Sequence, residues 1–234
     1  MRIIVTGASR GIGYQTVLAL VKDPDNYLLA LSRDGDKLQD LQKAAVELGA
    51  AGRFDFLALD LTQPLPASLI EKIDLMGGID VLVNNAGQLI NKPFLSTPLK
   101  DWQSIFEHNL FAPVLLIQAL TPFLEKSKNG HILNISSMGG FQGSSKFPGL
   151  AAYSASKAAL ANLTECLAEE LKEKGIAVNC LALGAVQTEM LATAFPGYEA
   201  PVSSEVMGAY VANFALNGHK VFNGKILPVS VSTP

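Results

Sequence analysis

The chain has 234 residues, 49% of them hydrophobic, enough to bury one substantial core at the upper end of ordinary single-domain size. A formal net charge of -3 without any run of Lys or Arg excludes the electrostatic footprint of a nucleic-acid binder or of a protein that docks on an anionic membrane. Two cysteines, Cys166 and Cys180, are too few for a disulfide framework or a zinc site, and each sits in an apolar stretch where a small buried residue of a reducing compartment is expected. The chain opens with one basic residue, Arg2, and an apolar run too short for a signal-peptide core or a membrane span, so a soluble cytoplasmic protein is expected.

Taken along the chain, short apolar runs bounded by Gly, Asp or Asn predict buried strands at 3–6, 27–32, 54–59, 80–84, 131–136, 177–181 and 225–229. Helical spacing of apolar residues predicts helices between them at 12–21, 36–48, 66–75, 99–124, 153–174 and 203–216. Crossover connections of this length join parallel strands, so the alternation specifies an α/β fold, a doubly wound parallel sheet with helices on both faces. No linker, low-complexity segment or repeat interrupts the series, and a single domain over 1–234 is expected. In such a sheet ligands gather at the carboxyl ends of the strands, so functional residues should follow strands.

The first strand runs into Thr6-Gly7-Ala8-Ser9-Arg10-Gly11-Ile12-Gly13, with glycines where the chain turns tightly, approaches a pyrophosphate and packs a helix on the sheet. The next helix would aim its N-terminal N–H groups at the phosphates. The spacing departs from G-x-G-x-x-G and such a turn alone can be structural, but its place between strand and helix favours a cofactor loop. The second strand ends Leu31-Ser32-Arg33, a cation where an NAD site would place an acid against the ribose 2′-hydroxyl. Arg33 can pair with a 2′-phosphate and Arg10 could reach it from the other side, so NADP(H) is expected rather than NAD(H). Asp34 could partly neutralise Arg33, and without a ligand both arginines are ordinary surface residues. Asp60-Leu61 after the third strand and Asn84-Asn85-Ala86-Gly87 after the fourth are equally compatible with turn chemistry. Tyr153 and Lys157 lie one helical turn apart on one face, after a fifth strand that ends in Ser136-Ser137. Hydroxyl, phenol and ammonium thus reach the rim that carries the glycine loop.

Together these residues resemble the short-chain dehydrogenase/reductase family, in its order and close to its spacing. The glycine turn at 6–13, Asp60, the 84–87 turn, Ser137, Tyr153-x-x-x-Lys157 and Gly175-Ile176-Ala177-Val178-Asn179 carry the match, which runs from residue 3 to about 188 with a weaker echo at 224–229. The resemblance implies a Rossmann-type sheet of seven strands, Asp60 beside the adenine, the 84–87 turn on the nicotinamide side, and a catalytic group of Asn109, Ser137, Tyr153 and Lys157. The cofactor-binding set it implies is Gly7, Ser9, Arg10, Gly11, Ile12, Gly13, Arg33, Asp60, Leu61, Asn85, Ala86, Gly87, Tyr153, Lys157, Gly184, Val186 and Thr188. Three features depart from the family: Leu183-Gly184 replaces the usual Pro-Gly, three extra residues before Tyr153 lengthen the loop around 144–149, and the stretch 228–234 lacks an acidic, glycine-rich finish.

The expected reaction is hydride transfer between nicotinamide and the carbonyl or alcohol carbon of a small molecule. A carbonyl accepting hydride develops negative charge on oxygen and needs an acid and donors aimed at it. Tyr153 is the candidate acid and base. A free phenol has a pKa near ~10 and each unit corresponds to ~1.4 kcal/mol, so work near neutrality needs a bias toward phenolate. Lys157 and the oxidised nicotinamide have the correct sign of charge. The resemblance further implies that Lys157 bonds the nicotinamide ribose, Ser137 positions the substrate oxygen and Asn109 holds a proton-relaying water, although on local sequence Asn109 is an indifferent helical polar residue. Strand alternation sends Ser136 and Ser137 to opposite faces without saying which faces the site. The family's serine is generally the later of such a pair, which selects Ser137.

His108, His131 and His219 have no metal-ligand spacing and no triad partner, so no metal is expected and the three are read as solvated or hydrogen-bonded structural residues. Trp102 is read as a packing residue. Substrate loops at about 138–150 and 184–202 offer Met138, Phe141, Phe147, Leu150, Met190, Leu191, Phe195 and Tyr198 with little charge beyond Lys146 and Glu189, which favours a mostly apolar substrate. No basic cluster is present to receive an acidic carrier. The helices 99–124 and 153–174 are rich in apolar and small residues and pair across a two-fold axis in the family, so a homodimer or homotetramer is expected. A reading from a different class is a non-catalytic NADP(H) sensor, against which the complete Asn–Ser–Tyr–Lys set argues.

Overall fold

The computed structural model describes residues 1–231; Ser232, Thr233 and Pro234, the end of the 228–234 stretch, lie outside the described residues. In chain order the elements are β1 (Arg2–Thr6), α1 (Gly11–Leu20), β2 (Tyr27–Ser32), α2 (Gly35–Glu47), β3 (Phe54–Ala58), α3 (Ala67–Leu75), β4 (Val81–Asn84), α4 (Leu99–Phe106), α5 (Ala112–Leu124), β5 (His131–Ser137), α6 (Ala151–Glu170), β6 (Ala177–Leu183), β7 (Val186–Gln187), α7 (Glu189–Ala194), β8 (Val202–Ser203), α8 (Ser204–Asn217) and β9 (Ile226–Val229). Seven strands form one sheet in the order β3-β2-β1-β4-β5-β6-β9, every neighbouring pair parallel. The chain leaves β1 toward β2 and β3 and returns to β4 on the other side. That reversal opens a crevice beyond the carboxyl ends of β1 and β4, where α/β sheets bind ligands.

Strand alternation explains why the sheet is covered twice. Ile3, Val5, Leu28, Ala30, Val81 and Val83 pack with residues of α1, α2 and α8, among them Val17, Leu41 and Val211. Their neighbours Ile4, Leu29, Leu31 and Leu82 point the other way, against Leu69 and Ile73 of α3 and Leu116 and Leu120 of α5. Both faces are dry, so the strands read as continuous apolar runs. The α1–α8 contact is close because Gly208 has no side chain: a Cβ there would lie 2.5 Å from Cβ of Gln15. At the opposite end of the sheet from the crevice, Arg2 pairs with Asp80 at 2.6 Å and tethers β1 to the start of β4. Burial pushes the Asp80 carboxyl up, but hydrogen bonds from the Arg2 guanidinium, Ser127 and the Arg2 N–H outweigh it and hold the pKa at about 2.

Several sequence expectations change. The helix expected over 99–124 is broken into α4 and α5 by one π turn, Glu107–Phe111, which carries Asn109. The short ribbon of β7 and β8 and the six-residue α7 were not expected, because two-residue strands and a single helical turn carry no readable period. Cys166 is exposed on α6, whereas Cys180 is buried as expected. Asp34 does not neutralise Arg33; its carboxylate caps α2, accepting from the Lys37 N–H at 3.1 Å. At His219 the buried Nδ1 has no hydrogen-bond partner among the described residues. Among the described residues no helix is long and apolar enough to cross a membrane.

Candidate active site

The glycine turn lies at the crevice between β1 and β4, and its shape is set by what leans on it. Gly7 has φ +65°, and a Cβ there would stand 2.8 Å from Cα of Ala86; one on Gly13 would stand 2.4 Å from the Asn85 side-chain nitrogen and from the Gly7 carbonyl oxygen. Asn85 fills that space, donating to the carbonyl oxygens of Thr6 at 3.0 Å and Gly7 at 3.2 Å. The Thr6 hydroxyl oxygen accepts from the N–H groups of Asn85 and Ala86, both at 3.0 Å. The second-strand end joins through Ser32, whose hydroxyl donates to Ser9 at 2.8 Å. Helix α1 starts at Gly11 with no side-chain cap and no acidic residue in its first turn. Its first N–H groups therefore face the crevice without an internal acceptor from a cap, the arrangement that receives a phosphate.

A continuous cleft of about 670 Å³ runs along the rim from Arg33 and Asp60, past the glycine turn and the 85–87 turn, to Ser137, Tyr153 and Lys157, then under α7. Its size and the uncapped α1 fit a dinucleotide in extended form. Gly7, Ser9, Arg10, Gly11, Ile12, Leu61, Asn85, Ala86, Gly87, Gly184, Val186 and Thr188 all border it. Gly13 and Asn109, two members of the expected set, do not line it. Gly13 serves the packing of α1 on the loop, and Asn109 is fully buried beneath the rim. Gly184 meets the C-terminal segment: a Cβ there would lie 2.6 Å from the Ser230 hydroxyl. Thr188 caps α7, its hydroxyl accepting from the Leu191 N–H at 3.2 Å.

At the end of the cleft beyond β2 and β3, Asp60 accepts from the N–H and hydroxyl of Thr62 at 3.0 and 2.8 Å. The Thr62 N–H does most to hold its carboxyl below the usual range, against burial and with help from the charge of Arg33. Arg33 turns toward His108, Nη1 to Nε2 at 3.4 Å, while His108 Nδ1 bonds the Ser104 carbonyl oxygen at 2.8 Å. The sequence marks His108 as a structural residue, but it borders the cleft. Its place follows from the π turn, which sequence spacing did not reveal.

At the other end, Ser136 and Ser137 diverge. Ser136 is buried and donates to the Lys157 carbonyl oxygen at 2.8 Å, tying β5 to α6. Ser137 accepts from the Gly139 N–H at 3.1 Å and shares a hydrogen bond with the Tyr153 phenol. A Cβ on Gly140 would stand 2.6 Å from the backbone of Lys157, so the short turn after β5 can lie flat on α6 only with glycine there. Burial raises the Tyr153 phenol pKa, opposed by the Ser137 bond. Burial also lowers Lys157 to about 8, and its Nζ donates to the Ile135 carbonyl oxygen at 2.8 Å, 6.0 Å from the centre of the Tyr153 ring. The bias toward phenolate expected from Lys157 is thus outweighed in the protein alone. Beneath it, Cys180 is pushed up to about 11 by burial.

Asn109 is held by three hydrogen bonds. Its carbonyl oxygen accepts from the Gln88 N–H at 2.7 Å, and its amide donates to the Gln88 carbonyl oxygen and the Ser156 hydroxyl, both at 2.9 Å. Both amide hydrogens are used, and one oxygen lone pair remains. Gln88 was missed in the sequence because it acts through its backbone, which no side-chain pattern marks.

An acid, a hydroxyl and an ammonium at the end of a dinucleotide-sized cleft are what an oxidoreductase moving hydride needs. Residues 1–199 match the family model described as short chain dehydrogenase. The chain is 35% identical over 196 residues to a 3-oxoacyl-(acyl-carrier-protein) reductase from Synechocystis sp., covering 80% of this chain and 74% of that one. A reductase of the same description from Staphylococcus aureus is 34% identical, over 80% and 75%. Among solved structures, acetoin dehydrogenase from Salmonella typhimurium superposes with a TM-score of 0.82 at 30% identity, covering 97% of this chain and 93% of that one. A short chain dehydrogenase from Shigella flexneri complexed with NADP gives 0.87 at 27%, covering 97% and 95%. The chain belongs to the short-chain dehydrogenase/reductase family of oxidoreductases.

Proposed function

We propose that the protein is an NADP(H)-dependent reductase of small, mostly apolar carbonyl compounds, or the dehydrogenase of the corresponding alcohols. The observation that carries the cofactor choice is Arg33, a cation on the cleft at the end of β2 where an acid would favour NAD(H). The NADP-bound relative is in keeping with it. For the substrate, Met138, Phe147, Leu150, Met190, Leu191 and Phe195 wall the end of the cleft beside Tyr153 with apolar surface. A small ketone fits that wall, as the name of the acetoin relative suggests; a 3-oxoacyl group fits too, but among the described residues no basic cluster lines the cleft there to seat an acidic carrier.

When bound, the nicotinamide supplies or accepts the hydride. In reduction, Tyr153 gives its phenolic proton to the developing alkoxide, and its raised pKa keeps that proton in place at neutral pH. Ser137 bonds the same oxygen and aligns the phenol. Lys157, at about 8, remains mostly charged at neutral pH and stabilises the phenolate left behind. Asn109, buried beneath the rim, acts through Ser156, whose hydroxyl accepts from the Asn109 amide and donates to the Tyr153 carbonyl oxygen.

The cofactor reading is tested by kinetics: kcat/KM with NADPH should exceed that with NADH at least tenfold, or ~1.4 kcal/mol. Arg33→Ala should remove most of the margin. Equal efficiency with both cofactors, or an unchanged margin in the variant, contradicts the reading. For assembly, Phe94, Leu95, Leu99, Phe111 and Leu115 of the 94–115 region are exposed, Leu95 at 95%. Such apolar surface around α4 and α5 suits self-association as a dimer or tetramer. Light scattering at micromolar concentration should give a multiple of the 24.8 kDa chain; a 24.8 kDa particle counts against it.

A further inference from the structure

The cation expected to assist Arg33 is already occupied. Arg10, in the glycine turn, donates to Glu189 at 3.0 Å, and Lys37, in the first turn of α2, lies 3.6 Å from the same carboxylate oxygen. Glu189 is the first residue of α7, 179 positions from Arg10. The contact is reinforced by Thr188, whose methyl carbon lies 3.3 Å from where a Cβ on Gly11 would be, so the start of α7 sits directly on the turn that begins α1. The next two residues, Met190 and Leu191, wall the substrate end of the cleft. Arg10 on the cleft, Lys37 just outside it and two walls of the substrate end are therefore joined through one carboxylate.

We propose that Glu189 is a specificity-determining latch, through which α7 competes with the cofactor's 2′-phosphate for Arg10 and Lys37. The proposal rests on the NADP(H) reading above. The side chains of Arg10 and Glu189 are 52% and 59% exposed, and such pairs are worth about 0.2–1 kcal/mol, so the latch is weak enough to exchange. A phosphate carries more charge than a carboxylate and presents more acceptor oxygens to a guanidinium, so a 2′-phosphate takes Arg10 from Glu189. A nucleotide with a bare 2′-hydroxyl offers Arg10 no such exchange and leaves α7 fastened. Glu189 thus lowers the discrimination that the cations would otherwise give, and makes the hold on α7 depend on which nucleotide is bound.

The test uses adenosine 2′,5′-bisphosphate and adenosine 5′-monophosphate, which differ only by the 2′-phosphate, titrated calorimetrically into the full chain, Glu189→Gln and Arg33→Ala. Glu189→Gln should tighten the bisphosphate by up to about fivefold, the upper end of the exposed-pair energy expressed as affinity, and leave the monophosphate nearly unchanged. The gain should shrink in about 0.5 M salt. Amide exchange across 189–194 should be faster with the bisphosphate than with the monophosphate in the native chain, and equal in Glu189→Gln. If the native chain prefers the bisphosphate, Arg33→Ala loses that preference and Glu189→Gln changes neither affinity, the latch is wrong and the cofactor reading stands. Equal tightening of both nucleotides also overturns it, since that is general charge relief. Should all three proteins bind both nucleotides alike, the cofactor reading fails and the latch falls with it.

Discussion

Ser136 and Ser137 differ by one position and by everything around them. The Ser136 hydroxyl is spent on the Lys157 carbonyl oxygen, inside the β5–α6 contact. Removing it takes away a second donor from a carbonyl that still accepts within α6, and should cost about 0.5–1.5 kcal/mol of stability while most turnover survives. The Ser137 hydroxyl faces the cleft and bonds the phenol. Ser137→Ala should lower kcat by about a hundredfold or more with nucleotide affinity nearly intact, because the lost bond is made mainly to the developing oxyanion. Steady-state kinetics beside urea unfolding of the two variants separates the roles, and a reversal between them would refute the assignment. This pair also marks where sequence reasoning stops. Alternation announces that two adjacent hydroxyls diverge, but with both faces of the sheet buried only the family resemblance, and then the Gly139 and Tyr153 contacts, distinguishes them.

Elements were legible in proportion to their length and their burial. The five inner strands are largely apolar because both faces are covered, and the observed ends of all seven differ from the expected ones by at most two residues. What could not be read is where a helix is wound differently. The π turn at 107–111 inserts one residue into a stretch whose apolar spacing stays helical, yet it buries Asn109 and aims His108 at Arg33. Histidine chemistry at the far end of β5 was equally hidden, since it depends on neighbours from β6 and α8. His131 donates from Nδ1 to the Ala215 carbonyl oxygen at 2.9 Å, and its Nε2 faces the Asn179 amide at 3.2 Å, with the His219 ring 5.4 Å away. Burial, followed by the charge His219 would carry, lowers its pKa to about 4 despite the Ala215 bond. A histidine lowered in the folded state binds its proton more readily when unfolded, so stability is full above about 6.5 and falls as the pH drops toward 4. The whole loss is about 3 kcal/mol, and the lowered pKa of His219 acts in the same direction. The Asp80 contribution lies lower, lost only from 3.8 toward 2. Urea unfolding between pH 7 and 4.5 should show this slope, and His131→Gln should flatten it; an unchanged slope in the variant would assign the acid sensitivity elsewhere.

At the scale of the whole molecule, one sheet gathers residues from nearly the entire chain onto a single rim, from Gly7 to Ser230. The order β3-β2-β1-β4-β5-β6-β9 puts the first strand at the centre and makes its partner β4 wait for β2, α2, β3 and α3 to be laid down. The seal that Asn85 places on the glycine turn spans 79 residues. Closing a loop of that length is slow compared with forming helices, and a chain this long folds through partly built states. Assembly in time therefore runs opposite to order in sequence: the turn at residue 7 is synthesised first and becomes a working cradle late. On dilution from urea the helical circular dichroism should recover in an earlier phase than the fluorescence of bound reduced nucleotide, and recovery of both in one phase would show that the β1–β4 junction forms with the helices. Until that junction closes, the refolding chain is already helical and still blind to its cofactor, so bound nucleotide can trap the finished state but cannot guide the early steps toward it.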